Sequence, residues 1–174
     1  MGAIISAIGE KNPQLAYEVN VDGTKNALDI SKNYGCGLFI PTSIACFGGS
    51  AYQKNMSPVN SPLQPETIYG ISKVFNEGLG TYYHKKFGVD FRCLRYPVII
   101  SSAKQVFNGT GGYMTEMFFD VLEKKHYTCY MEKDTPLPAL YIDDCVEATL
   151  RMVKADRKDL KRCCYNLAGI PITP

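Results

Sequence analysis

The 174-residue sequence carries 19 Lys and Arg against 17 Asp and Glu, a formal charge of +2, and 45% hydrophobic residues. That composition excludes a disordered chain, and the scattered charge gives no basic face for nucleic acid or an anionic membrane surface. No apolar run reaches the ~20 residues of a membrane span. Seven cysteines at 36, 46, 93, 129, 145, 163 and 164, with only His84 and His126 beside them and no C-x-x-C spacing, read as buried thiols in a reducing compartment, not as a zinc cluster. The length fits one domain, residues 1–174, and no linker divides it.

In chain order, Met1 to Ile8 reads as the end of a strand running into a loop. Asn12-Pro13 starts a helix, with Pro13 in its first turn. Leu15, Val19, Gly23, Ala27 and Ile30 give that helix an apolar stripe as far as Lys32, before Gly35 and Gly37 end it. Gly37–Ser43 is a short apolar strand of the kind buried in a parallel sheet. Ala45–Pro65 is a long polar loop, and loops of that length in compact domains are usually functional.

Thr67–Lys86 is the next helix, with Tyr69 and Lys73 on one face and Val74, Phe75, Leu79 and Tyr82 on another. Val89–Ile100 is a strand, 101–112 a glycine-containing loop, and Tyr113–Lys125 a helix. Tyr127–Met131 is a short strand. Leu140-Tyr141-Ile142 leads to a helix capped by Asp143. Cys164–Leu167 is a last strand, and Thr173-Pro174 has the pattern of a helix start. Strands alternating with helices predict an α/β fold, a doubly wound parallel sheet of Rossmann-like type.

The chemistry gathers at Ser43 and at Tyr69-Gly-Ile-Ser-Lys73. Tyr69 and Lys73 stand four apart and share a helical face. An ammonium beside a phenol favours phenolate, so the tyrosine is expected to ionise below its usual ~10 and to serve as an acid/base for an alcohol or ketone. Ser43, at a strand end, can hydrogen-bond the same substrate oxygen. Tyr-x-x-x-Lys alone also fits an ordinary amphipathic helix. The preceding strand, the loop, the helix start and the following strand Phe91–Pro97 together select the active-site pattern, which resembles that of the short-chain dehydrogenase/reductase superfamily.

A dinucleotide-binding fold opens with a strand, a glycine-rich turn and a helix N-terminus for the pyrophosphate. Before Ser43 the glycines are Gly2, Gly9, Gly23, Gly35 and Gly37, none in that spacing, and no acidic residue suits the adenosine ribose. At about 30 residues per βαβ unit, roughly 60 to 80 residues of that half are missing. The expectation is a partial Rossmann-like sheet lacking its first βαβ cofactor-binding half, a domain incomplete at both ends.

Several segments resemble the short-chain, extended type of L-threonine 3-dehydrogenase. They are Ile5-Ser-Ala-Ile-Gly-Glu-Lys-Asn12, Phe39–Gly48, Thr67–Lys73, Asp90-Phe-Arg-Cys-Leu-Arg-Tyr-Pro97, Leu137–Cys145 and Tyr165-Asn-Leu167. The resemblance implies NAD as cofactor and L-threonine, or a similar hydroxy amino acid, as substrate. It implies Ser43, Tyr69 and Lys73 as catalytic residues, with Tyr69, Lys73, Tyr96, Pro97 and Ile99 against the cofactor. Ser6, Ser43, Tyr69 and Thr110 would face the substrate.

It further implies a homodimer through helices 14–32 and 67–86, with Tyr82, Tyr83 and Phe87 either on that surface or packed on the chain's own sheet. A mitochondrial location in animals also follows from it. The family's G-G-G-T-T-D-Y-A loop is changed here to Asn108-Gly-Thr-Gly-Gly-Tyr-Met114, so Gly111 and Gly112 stand where a Thr and an Asp are usual. Two other functions share the same residues: a sugar-nucleotide epimerase or dehydratase, and a non-catalytic dimerising remnant.

Overall fold

A computed structural model describes residues 3–48, 57–103, 109 and 111–174. It opens not on a strand but on helix α1 (Ser6–Lys11). Ile4 needs no strand partner, because the Asn20 side chain accepts from its N–H and donates to its C=O, both at 2.9 Å. Helix α2 (Pro13–Tyr17) starts as expected, with Pro13 in the first turn and Asn12 accepting from Leu15 N–H at 3.2 Å. A π-helical turn, Glu18–Asp22, joins it to α3 (Gly23–Tyr34), which ends at Gly35 with φ +65°.

The apolar stripe of this helix is not its buried face. Ala16, Asn20, Val21, Thr24, Leu28 and Ser31 are buried, whereas Leu15 and Ile30 are exposed. Small and polar residues face inward because α2 and α3 pack closely on a second helix and bond to it: Asn76 donates to Asn20 O at 3.0 Å, and Asn20 donates to Ser72 Oγ at 3.3 Å.

That second helix is α4 (Ile68–Phe87), capped by Thr67, whose hydroxyl accepts from Gly70 N–H at 3.1 Å. Its buried face is Ser72, Lys73, Asn76, Glu77, Gly80 and Tyr83, and the apolar side with Phe75 and Tyr82 is half exposed. Strands β1 (Leu38–Ser43), β2 (Phe91–Tyr96) and β5 (Cys164–Asn166) form a parallel sheet in the order β1-β2-β5. Helices α3 and α4 cover one face and α6 (Ile142–Lys154) the other, so this layer is doubly wound. Leu28, Ile40, Tyr83, Val89, Phe91, Cys93 and Cys163 are its core.

The strand read as continuous from Val89 to Ile100 is two. Pro97 has no N–H to continue the ladder, and the chain leaves the first sheet there. Strand β3 (Val98–Ile100) joins a second sheet in the order β3-β4-β6, with β4 (Leu137–Tyr141) parallel to β3 and β6 (Ile170–Ile172) antiparallel to β4. Helix α5 (Tyr113–Lys124) packs Tyr113 and Met114 onto this sheet.

Three further expectations change. Residues 127–131 form no strand; Tyr127, Cys129 and Met131 pack beside the second core without a ladder partner. Tyr141, not Asp143, precedes α6, and Asp143 and Asp144 lie in its first turn, where carboxylates favour the helix dipole. Thr173-Pro174 is irregular.

Candidate active site

Ser43 ends β1 directly beside Tyr96, which ends β2. Its side chain is half-buried and its Oγ accepts from Ala45 N–H at 3.1 Å, starting the short 3-10 turn Ile44–Cys46. Tyr69 sits in the first turn of α4. That turn lies close against the 3-10 turn because residue 70 is glycine: a Cβ there would stand 2.3 Å from Ala45 O and 2.6 Å from the Pro65 ring. The approach brings the Tyr69 phenol beside the Ser43 hydroxyl, near enough for that hydroxyl to favour its ionised form.

Lys73 is one turn further on and buried, with its Nζ 5.3 Å from the centre of the Tyr69 ring. The ammonium does not bond the phenol; it donates to Pro41 O at 2.9 Å. The expected acidification is therefore not what this arrangement produces. Burial holds the Tyr69 phenol above the ordinary tyrosine value, and the neighbouring Ser43 hydroxyl opposes that rise without cancelling it. Burial also lowers the Lys73 ammonium.

Two cavities flank β1, and Pro41 lines both. One, of about 330 Å³, lies on the α3/α4 side between Ala3, Val19, Asn20, Lys73 and Asn76, and the Asn76 Oδ1 beside it is buried without a partner. The other, of about 380 Å³, lies on the α6 side between Phe39, Tyr96, Ile99, Val146 and Leu150. Tyr96 reaches α6 through a hydrogen bond to the Thr149 hydroxyl. Pro97 is buried and Ile99 half-buried.

The structure thus brings Ser43, Tyr69 and Lys73 together and puts Tyr96 beside them. Ser6 is half-buried at the start of α1, and among the described residues no hydrogen bond joins it to that group. Thr110 lies outside the described residues. Its neighbour Gly111 is held by contact: a Cβ there would stand 2.4 Å from the Val98 side chain.

Sequence reading missed a buried layer under this site. Glu77 and Arg95 form an ion pair at 2.6 Å with both side chains about 5% exposed. The signal was present: Glu77 is four residues after Lys73 on one helical face, and Arg95 interrupts an apolar strand. Arg92, three residues earlier, points to the other face, where it donates to the carbonyls of Met152, Val153 and Ala155 and ends α6. Cys46 donates to Glu77, and burial pushes its thiol up to about 12, so it is no nucleophile at neutral pH. Glu77, Cys93 and Cys164 place ligand atoms within 4.8 Å of one another. Both Glu77 oxygens are already committed to Arg95.

The parallel sheet with helices on both faces and a Ser–Tyr–Lys group at its strand ends is a Rossmann-like architecture. The chain belongs to the NAD dependent epimerase/dehydratase family, whose model matches residues 2–168. It is 41% identical over 172 residues to the mitochondrial L-threonine 3-dehydrogenase of Bos taurus, a match covering 99% of this chain and 46% of that one. It is 41% identical over 175 residues to an uncharacterized epimerase/dehydratase of Staphylococcus haemolyticus, covering 100% of this chain and 55% of that one. The crystal structure of L-threonine dehydrogenase from Phytophthora infestans superposes with a TM-score of 0.96 at 41% identity, over 100% of this chain and 56% of that one. The UDP-glucose 4-epimerase of Thermotoga maritima shares the fold, with a TM-score of 0.86 at 21% identity. The chain spans about half the length of these relatives.

Proposed function

We propose that this chain is the catalytic part of an NAD-dependent L-threonine 3-dehydrogenase, converting L-threonine to 2-amino-3-oxobutanoate. The observation that carries the reading is the first turn of α4 packed on the turn after Ser43, which sets Tyr69 beside that hydroxyl with Lys73 Nζ 5.3 Å from the centre of its ring. Tyr69 Oη takes the proton of the substrate hydroxyl. Ser43 Oγ holds the substrate oxygen in line with the phenol. Lys73 Nζ, 5.3 Å from the centre of the Tyr69 ring, is the cation available to offset negative charge that develops on the phenol oxygen as the proton moves.

The residues present fit one end of NAD. Lys73 has donors left beyond its bond to Pro41 O, and Asn76 offers an unpaired acceptor beside the same cavity; together they suit the hydroxyls of the nicotinamide ribose. Tyr96, Pro97 and Ile99 would border the ring. NAD, when bound, supplies the hydride acceptor. The glycine turn that cradles a pyrophosphate has no counterpart among the described residues, so weak or no NAD binding is expected of these residues alone.

The substrate is L-threonine or a close hydroxy amino acid, with Ser6 proposed to face it. A homodimer would form through the faces of helices 14–32 and 67–86, where Ile30, Ile71, Phe75 and Tyr82 are about half exposed. Tyr83 belongs to the core, so of the three aromatics only Tyr82 and Phe87 are available to that surface. No helix among the described residues is long and apolar enough to cross a membrane. The bovine and pig relatives are mitochondrial enzymes, and the same compartment is proposed for this chain.

The test is a chimera in which this chain replaces the matched stretch of the bovine relative. NADH formed from L-threonine and not from UDP-glucose supports the reading. A folded, NAD-binding chimera that is inert to threonine, or that epimerises UDP-glucose, contradicts it.

A further inference from the structure

We propose that the buried Arg95–Glu77 pair is the positioning element that keeps the Tyr69 phenol beside the Ser43 hydroxyl. The inference rests on the reading of those two residues as the reacting pair, and deepens it.

Arg95 bonds Glu77 as a fork, Nε to Oε1 at 2.9 Å and Nη2 to Oε2 at 2.6 Å. Glu77 lies on the α4 face that carries Lys73 and, one turn earlier, Tyr69. Its Oε1 also accepts from Cys46 Sγ at 3.5 Å, and Cys46 ends the 3-10 turn that Ser43 starts. The guanidinium lies 5.3 Å from the centre of the Phe47 ring, the next residue of that turn. Arg95 Nη1 donates to Val59 O at 2.9 Å and to Asn166 Oδ1 at 3.2 Å, and Asn166 donates to Ser57 O at 2.9 Å. One ion pair therefore ties together α4, the turn after Ser43, the approach to α4 and strand β5.

Stability is a poor reason for such a pair. Two charges with about 5% exposure give up most of their hydration, and an apolar pair of similar volume is often as stable or more so. What the fork supplies is direction. Its two parallel bonds fix α4 in rotation and along its axis relative to β2. A rotation of α4 would carry Tyr69 away from Ser43, since the phenol is the far end of a long side chain on that helix.

The apolar replacement separates geometry from stability. The Glu77→Leu/Arg95→Met variant of this chain is expected to fold, with a melting temperature near that of wild type. The readout is the ring-carbon resonance of Tyr69 beside its phenol oxygen, in protein with isotope-labelled tyrosine at neutral pH. Tyr69→Phe assigns the signal, and Ser43→Ala marks its position once the neighbouring hydroxyl is gone. The resonance of the folded double variant is expected to move to the Ser43→Ala position. Arg95→Lys keeps the charge but not the fork, is read the same way, and serves if the double variant does not fold. A Tyr69 resonance at the wild-type position in either folded variant overturns the proposal. The measurement needs neither NAD nor threonine, so it can fail while the dehydrogenase reading stands, and the reverse.

Discussion

Gly80→Ala sets two effects of opposite sign against each other. On helix propensity alone, alanine in the middle of α4 should stabilise the chain by about 1 kcal/mol. Yet the Cβ at residue 80 would stand 2.2 to 2.4 Å from three atoms of the Phe91 ring, where ordinary contact begins near 3.4 Å. Phe91 is fully buried in the core between Leu28, Ile40 and Cys93, so the ring has nowhere to swing. Relief requires α4 to lift by about an ångström, and such overpacking costs typically 1–3 kcal/mol. With the gap this short the upper part of that range applies, leaving a net loss of about 1–2 kcal/mol and a melting temperature ~2–8 °C lower.

Thermal melts followed by far-UV circular dichroism measure it. The Phe91→Leu change tests the cause: in the double mutant the two losses should fall short of their sum by about 1 kcal/mol, because each relieves the other. A Gly80→Ala chain that melts at or above wild type would show that no close contact fixes the height of α4, the helix that carries Tyr69 and Lys73.

Three further outcomes follow from the same geometry. Burial raises the phenols of Tyr69, Tyr96, Tyr113, Tyr127 and Tyr130 and the thiol of Cys46, whose unfolded values are 10.0 and 9.0. The stability these groups contribute is whole below the unfolded values and lost as pH climbs through the raised ones. Urea midpoints should therefore hold up to about pH 9 and fall above it; a flat profile to about pH 11 would refute it. Gly70→Ala, with its Cβ 2.3 Å from Ala45 O, should displace the first turn of α4 and cut turnover in the chimera by more than tenfold, while a variant retaining most of its rate would remove the need for that close approach. Asn12→Ala removes the cap on Leu15 N–H and should cost about 1 kcal/mol in denaturant titration; no change would mean that Pro13 alone starts the helix.

Much of the layer under the site was legible because it obeys local rules. Pro13 after Asn12, Thr67 before α4 and Gly35 after α3 mark helix ends by backbone chemistry that acts within a few residues. The Tyr69–Lys73 spacing and the strand end at Ser43 put three side chains together without knowledge of the rest. What was not legible depends on partners far along the chain. Asn20 substitutes for a strand at Ile4 across 16 residues, and Arg95 finds Asn166 across 71. The stripe Leu15, Val19, Ile30 misled because this segment meets α4 through polar Asn20, which bonds Ser72 and Asn76, leaving Leu15 and Ile30 outward. The phenol was expected to be acidic from spacing alone, and spacing takes no account of where an ammonium points: Lys73 turns to Pro41 O.

The central claim is that Tyr69 moves the substrate proton, and Tyr69→Phe tests it with one oxygen atom removed. In the chimera the change should abolish NADH formation from L-threonine while the melting temperature stays near that of the unmutated chimera. A phenylalanine variant that keeps more than about a tenth of the rate would contradict the account, since general acid–base groups contribute about a hundredfold or more.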